Sequence, residues 1–176
     1  MGYKTKIDWC DSSWNPVTGC NHGCKYCYAR RIAERFSTAM AMPDFELLVP
    51  VDEPHPVYEL SEPVRHDFHG NKREPYPYGF QPTFHRYKLD EPQHWKKPRT
   101  IFVCSMGDMF GNWVPDEWIK QLFEACEAAP QHRFLFLTKN PGRNSHLERA
   151  GIMPKGDNFW FGATIDHSNW PGHDGP

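Results

Sequence analysis

The sequence predicts an α/β protein built from parallel βα repeats, and three observations carry that prediction. Short, continuously apolar runs such as "IFV" (101–103) and "FLFL" (134–137) fit strands covered on both faces of a parallel sheet. Amphipathic stretches of helical period alternate with these runs, an order that lays crossover helices on a parallel sheet. The residues with chemistry to offer fall where the runs end, which is where parallel sheets bind ligands.

The first repeat runs from "IDWCDSSWNPVTG", extended with a turn at Asn15-Pro16, into a helix carrying Ala29, Ile32, Ala33, Phe36 and Met40 on one face. From Pro43 to Pro98 the texture changes, with ten of the chain's 17 prolines in that span. Proline removes ladder donors and breaks helix interiors, so the stretch is expected to be an irregular insertion. A strand at Ile101–Val103 follows and leads into "CSMGD". In "VPDEWIKQLFEACEAAP", Pro115 suits the helix start, Asp116 and Glu117 complement the dipole, and Trp118, Ile119, Leu122, Phe123 and Cys126 form the apolar stripe. "HRFLFLTKNP" is the next strand, "RNSHLERAG" a short helix, and "NFWFGATID" a last strand.

A chain of 176 residues, 39% hydrophobic, builds one core, so a single domain over 1–176 is expected, with the insertion at about 43–98. A net charge of −2 and a pI near 6.5 give no global footprint for nucleic acid, although a local patch stays open. The N-terminus lacks an apolar signal core and no run of about 18 apolar residues occurs, which predicts a cytoplasmic protein with no membrane span.

The segment "TGCNHGCKYCYARR" (18–31) places Cys20, Cys24 and Cys27 within eight residues, ahead of a helix. In a reducing compartment such clustering points to metal or catalysis rather than disulfides. A structural zinc needs a fourth ligand, which His22, Cys10 or another partner would have to supply. Three thiolates on an iron-sulfur cube leave one iron open, which serves chemistry rather than structure.

The C-x3-C-x2-C spacing, with Tyr26 before the last cysteine on a strand-to-helix loop, resembles the cluster motif of the radical SAM enzymes. "TKIDWCDSSWNPVTGC", "LDEPQHWKKPRTIFVCSMGDMF", "APQHRFLFLTKNP" and "FWFGATID" are similar to the phage-associated Gp37/Gp68 family, a radical-SAM-like domain of unknown function. The resemblance implies a partial, incomplete TIM-type barrel, here without the C-terminal strands of a full core. It implies a 4Fe-4S cluster on Cys20, Cys24 and Cys27 whose open iron binds S-adenosyl-L-methionine. Reductive cleavage would then give a 5′-deoxyadenosyl radical that takes hydrogen from an unknown substrate, with nucleic-acid-derived substrates left open, using an external electron donor.

In that resemblance Ser105, Gly107 and Asp108 stand where such enzymes receive the SAM ammonium, and Asp108 is shorter than the usual glutamate. Thr138 and Lys139 would reach ribose or carboxylate, Tyr26 flanks the cofactor, and Thr164 and Asp166 are candidates by position. Each has a plainer alternative. Ser105 and Asp108 would cap a loop backbone, Lys139 would be a solvated strand end, His22 a polar loop residue, and Cys10, Cys104 and Cys126 buried thiols packing as small hydrophobes.

Tyr76, Tyr78, Phe80, Phe84, Tyr87 and Trp95, interleaved with His85, Arg86, Lys88, Lys96 and Lys97, would either stack bases or pack an irregular lid over the site. The alternative function is a non-catalytic, metal-stabilised nucleic-acid-binding module. The last strand, with Phe159, Trp160 and Phe161, is expected at an open sheet edge that invites self-association, a second chain or cover from the insertion.

Overall fold

The computed structural model describes residues 5, 7–37, 56–65 and 72–165. Its principal sheet is parallel throughout, in the order β1 (Ser12–Trp14), β5 (Thr100–Val103), β6 (Arg133–Thr138), β7 (Phe159–Ala163). Between them run α1 (Tyr28–Phe36), α2 (Asp116–Glu127) and α3 (Gly142–Arg149). The protein is therefore a mixed α/β fold with a four-stranded parallel sheet, as the alternating pattern predicts. A smaller sheet joins β2 (Val17–Thr18), β4 (Thr83–His85) and β3 (Tyr58–Leu60) in the order β2-β4-β3.

Register decides what each face does. Trp14, Val103, Phe136 and Phe161 align across the sheet, and Ser12, Ile101, Phe134 and Phe159 align two residues earlier on the same face. Most of this face is buried in one core with Trp118, Ile119, Leu122, Phe123 and Cys126 of α2 and Leu147 of α3. Phe136 stacks on Phe161 at 4.9 Å between ring centroids, and Phe134 on Phe159 at 5.8 Å.

The opposite face carries Ser13, Phe102, Leu135, Leu137 and Trp160, and here the expectation of strands covered on both sides holds for β5, whose Phe102 is buried, and is corrected for β6 and β7. Leu137 is 39% and Trp160 55% exposed, because α2 and α3 both give their apolar stripes to the first face. β7 is an edge among the described residues, paired with β6 alone, as its aromatic run suggests.

Two further expectations change. On α1 only Ala29 and Ala33 are buried, against Phe80 and Met106, while Ile32 and Phe36 lie 38% and 54% exposed. Alanines one turn apart allow the close approach that a larger residue would block, so the small residues face inward. Met40 lies outside the described residues. The stretch read as irregular contains β3, β4 and two 3-10 turns, Arg86–Lys88 and Glu91–His94. Its prolines flank the strands rather than interrupt them, as Pro82 does before Thr83, so pairing survives. Phe84 and Trp95 from this segment enter the main core, and Phe84 stacks on Trp118 at 5.1 Å. No described helix is long and apolar enough to cross a membrane.

The two faces predict opposite responses to truncation. Phe134→Ala, at a fully buried position, should lower unfolding free energy by about 3–5 kcal/mol. Leu137→Ala, on the open face of the same strand, should change it by about 0.5 kcal/mol or less. Urea denaturation of both variants checks this, and equal losses would mean that the open face is covered in solution.

Candidate active site

A cavity of about 470 Å³ lies at the carboxyl ends of the parallel strands. Cys20, Cys24, Tyr26 and Cys27 reach it from the loop between β2 and α1. Ser105, Gly107 and Asp108 line it after β5, and Thr138 and Lys139 at the end of β6. Thr164 also lines it, with its amide donating to the Thr138 carbonyl at 2.8 Å. All nine residues singled out as cofactor or metal contacts, from three separate segments, thus share one cavity. Asp166 lies outside the described residues.

Backbone proximity seats the cysteine loop. Gly19 bridges to Gly107 in parallel, and the Gly19 amide donates to the Met106 carbonyl at 2.9 Å. A Cβ on Gly107 would sit 2.7 Å from the Gly19 carbonyl oxygen, and one on Gly19 only 2.2 Å from that of Gln81. Gly19 also has φ +83°, a conformation that side chains resist. Gly107 therefore acts through its missing side chain.

Two of the sulfurs accept backbone amides. Cys27 caps the N-terminus of α1, and its Sγ accepts the Arg30 amide at 3.3 Å, so the positive end of the helix faces it. The His22 amide points to Cys20 Sγ at 3.5 Å. Burial pushes the Cys20 thiol up to about 12, so a thiolate there needs a metal or another positive charge beside it. All three thiols are free and partly exposed.

Three free thiols on one cavity are the donor chemistry that a cube with one open iron would use. Among the described residues no group of three or more His, Cys, Asp or Glu side chains closes around a single-ion position.

Asp108 is the most heavily bonded side chain of the site. Its Oδ2 lies 2.9 Å from His22 Nε2 and accepts the Thr138 hydroxyl at 3.0 Å and the Lys139 amide at 2.9 Å. Its Oδ1 accepts the Phe110 amide at 3.0 Å. The carboxylate is buried and holds the cysteine loop, the turn after β5 and the end of β6 together. Lys139 Nζ donates to the Tyr26 hydroxyl at 2.8 Å, a second tie from β6 to the loop.

Sequence reading gave no site role to Asn15 or Tyr28, and read Cys104 as a packing thiol and His22 as a polar loop residue or zinc ligand. Cys104, taken as an inert thiol, is indeed buried, with its thiol pushed up to about 12 by desolvation, but it lines the cavity. It also holds a left-handed backbone at φ 56°, rare without glycine. Asn15 Oδ1 accepts both the Ser105 hydroxyl at 3.1 Å and the Met106 amide at 3.0 Å, fixing the turn. The Tyr28 hydroxyl donates to the Ser105 carbonyl at 2.6 Å. His22 joins Asp108, and its place between two cysteines was the available signal. Cys10 and Cys126 are buried away from the cavity lining, as expected of packing thiols.

Fold and site together define an α/β protein with a three-cysteine pocket at the ends of parallel strands. The chain belongs to the protein family described as a protein of unknown function, DUF5131, which it matches over residues 4–174. No curated protein and no solved structure matches it.

Two substitutions test how the pocket is held. Gly19→Ala meets both a positive φ and the Gln81 carbonyl, and should destabilise the fold by at least about 1 kcal/mol. Asp108→Asn turns one acceptor of the cluster into a donor facing donors, with an expected loss of about 1–3 kcal/mol. Thermal unfolding checks both; wild-type stability in the Asp108 variant would show that its four bonds are not the support of the pocket.

Proposed function

We propose that the chain is a radical SAM-type iron-sulfur enzyme, with Cys20, Cys24 and Cys27 holding a 4Fe-4S cluster. The observation that carries this reading is the convergence of three free thiols on one cavity at the carboxyl ends of a parallel sheet. With S-adenosyl-L-methionine on its open iron, such a cluster supplies reductive cleavage and, through the resulting radical, hydrogen abstraction from a substrate. The electron comes from an external donor.

The chain's own residues do the positioning. Cys27 and Cys20 present their sulfurs to amide donors. Asp108 orders the loop, and Oδ1, which among the described residues accepts the Phe110 amide alone, keeps a lone pair for a ligand ammonium. Lys139 and Tyr26 stand at the rim as a coupled pair, suited to a carboxylate or ribose hydroxyl. Phe80, Phe102 and Leu137 line the apolar part of the wall.

The sheet fits the wall of a partial barrel in this reading. Its strands follow chain order, and α2 and α3 feed the same core on one face, whereas a doubly wound sheet has helices on both faces. The edge of β7, with Trp160 exposed, is then where a further strand, a second copy or another chain would pair.

Anaerobic reconstitution with iron, sulfide, S-adenosyl-L-methionine and a strong reductant tests the proposal. Brown protein that forms 5′-deoxyadenosine is the expected result. Cys20→Ala, Cys24→Ala and Cys27→Ala should each lose the cluster iron, while Cys10→Ser should retain it. A colourless protein loaded with zinc, and losing it in the Cys10 or His22 variant, would replace this reading with a four-ligand structural site.

A further inference from the structure

A second cavity, of about 390 Å³, lies beside the first and is walled by the β1–β2 turn, the 73–76 segment and the 87–91 segment. Ser105 lines both cavities, so the turn after β5 forms part of each wall. Among the side chains facing this second space are four donors, Lys88, Arg73, Asn15 and Ser13.

Lys88 is half-buried, and desolvation of its ammonium, against the attraction of Glu91, brings its pKa down to about 8. Among the described residues it has no carboxylate within 4 Å, and its one hydrogen bond is long, 3.4 Å to the Asn15 carbonyl. A desolvated ammonium in a protein is normally paired. Asn15 spends its Oδ1 on Ser105 and Met106, which fixes the amide and leaves Nδ2 with no acceptor among the described residues. The Ser13 hydroxyl likewise has none, and Arg73 stands exposed on the same lining. Tyr76 and Tyr87 supply aromatic wall. Two carboxylates also line the space: Glu74 accepts the Tyr76 amide, and Glu91 is raised chiefly by burial.

We propose that this cavity binds a small organic anion, its phosphate or carboxylate group held by Lys88 and Arg73 with the amide of Asn15 and the hydroxyl of Ser13. A bound anion would give Lys88 the direct ion pair that Glu91, which acts on it only through its charge, does not make. Glu91 and Glu74 are acceptors suited to hydroxyl or amine groups elsewhere on the ligand, and the tyrosines suit an unsaturated or ring portion. The site uses none of the three clustered cysteines, so it stands whether or not the cluster reading holds.

Isothermal titration of inorganic phosphate and of acetate into the purified chain, at matched ionic strength against chloride, tests the site. Saturable binding of at least one is expected; phosphate alone identifies a phosphate ester as the ligand class, acetate alone a carboxylic acid, and both a subsite that reads charge. Lys88→Met should weaken binding by roughly tenfold or more and Arg73→Gln by roughly threefold or more. Arg73 is exposed, so its variant tests the site even if Lys88→Met fails to fold. No binding above the chloride control, or unchanged affinity in the folded variants, overturns the proposal. Iron content stays a separate readout of the cysteine pocket.

Discussion

The carboxylate of Asp108 is the point on which the pocket is assembled. Four donors converge on it from three segments that are far apart in sequence: His22, Phe110, and Thr138 with Lys139. A carboxylate can gather so many because each oxygen offers two lone-pair directions and the charge strengthens every bond. Burying it is tolerable only because the donors are present, and the donors are held only because it is there. The cysteine loop has few other long-range ties: Gly19 against Met106 and Gly107, Cys20 on the Phe80 carbonyl, and Lys139 on Tyr26. Loop and sheet are thereby set in one geometry before any ligand arrives.

The sheet beneath is asymmetric. One face is filled by α2, α3 and a set of stacked phenylalanines, and the other shows Phe102, Leu137 and Trp160 toward the cavity and solvent. Trp9 packs on Phe102 at 4.7 Å, giving that face partial cover from the chain's own start. An apolar face next to a pocket lowers the local dielectric, which strengthens the charged contacts around Asp108.

Much of this was legible in the sequence, and the reasons differ by element. α2 was readable from Pro115, two acids and an apolar stripe, because helix starts and amphipathic periods are local signals. β5 and β6 were readable as apolar runs, and the strand ends then named the pocket residues. What escaped depends on distant neighbours. A run such as "FLFL" looks the same whether one or two faces are covered, so the exposure of Leu137 could not be read from it. Ala29 and Ala33 outweigh Ile32 and Phe36 on α1 because of Phe80 and Met106, far along the chain. The strands inside the proline-rich stretch are only three residues long, too short for an alternating pattern to show.

Cys104 shows how tightly the two cavities are tied. Its left-handed backbone costs about 1–3 kcal/mol, and the fold accepts this because the turn that follows is fixed on all sides. The Cys104 amide bonds the Trp14 carbonyl, Asn15 clamps Ser105 and Met106, and Gly107 lies flat against Gly19. The turn therefore presents Ser105 to both cavities and Asp108 to the cysteine loop in one rigid piece. Any shift of Asn15, which lines the second cavity, must move Ser105 and Met106 with it. Because interlocked contacts of this kind resist gradual bending, one turn sets the adjoining walls of both cavities.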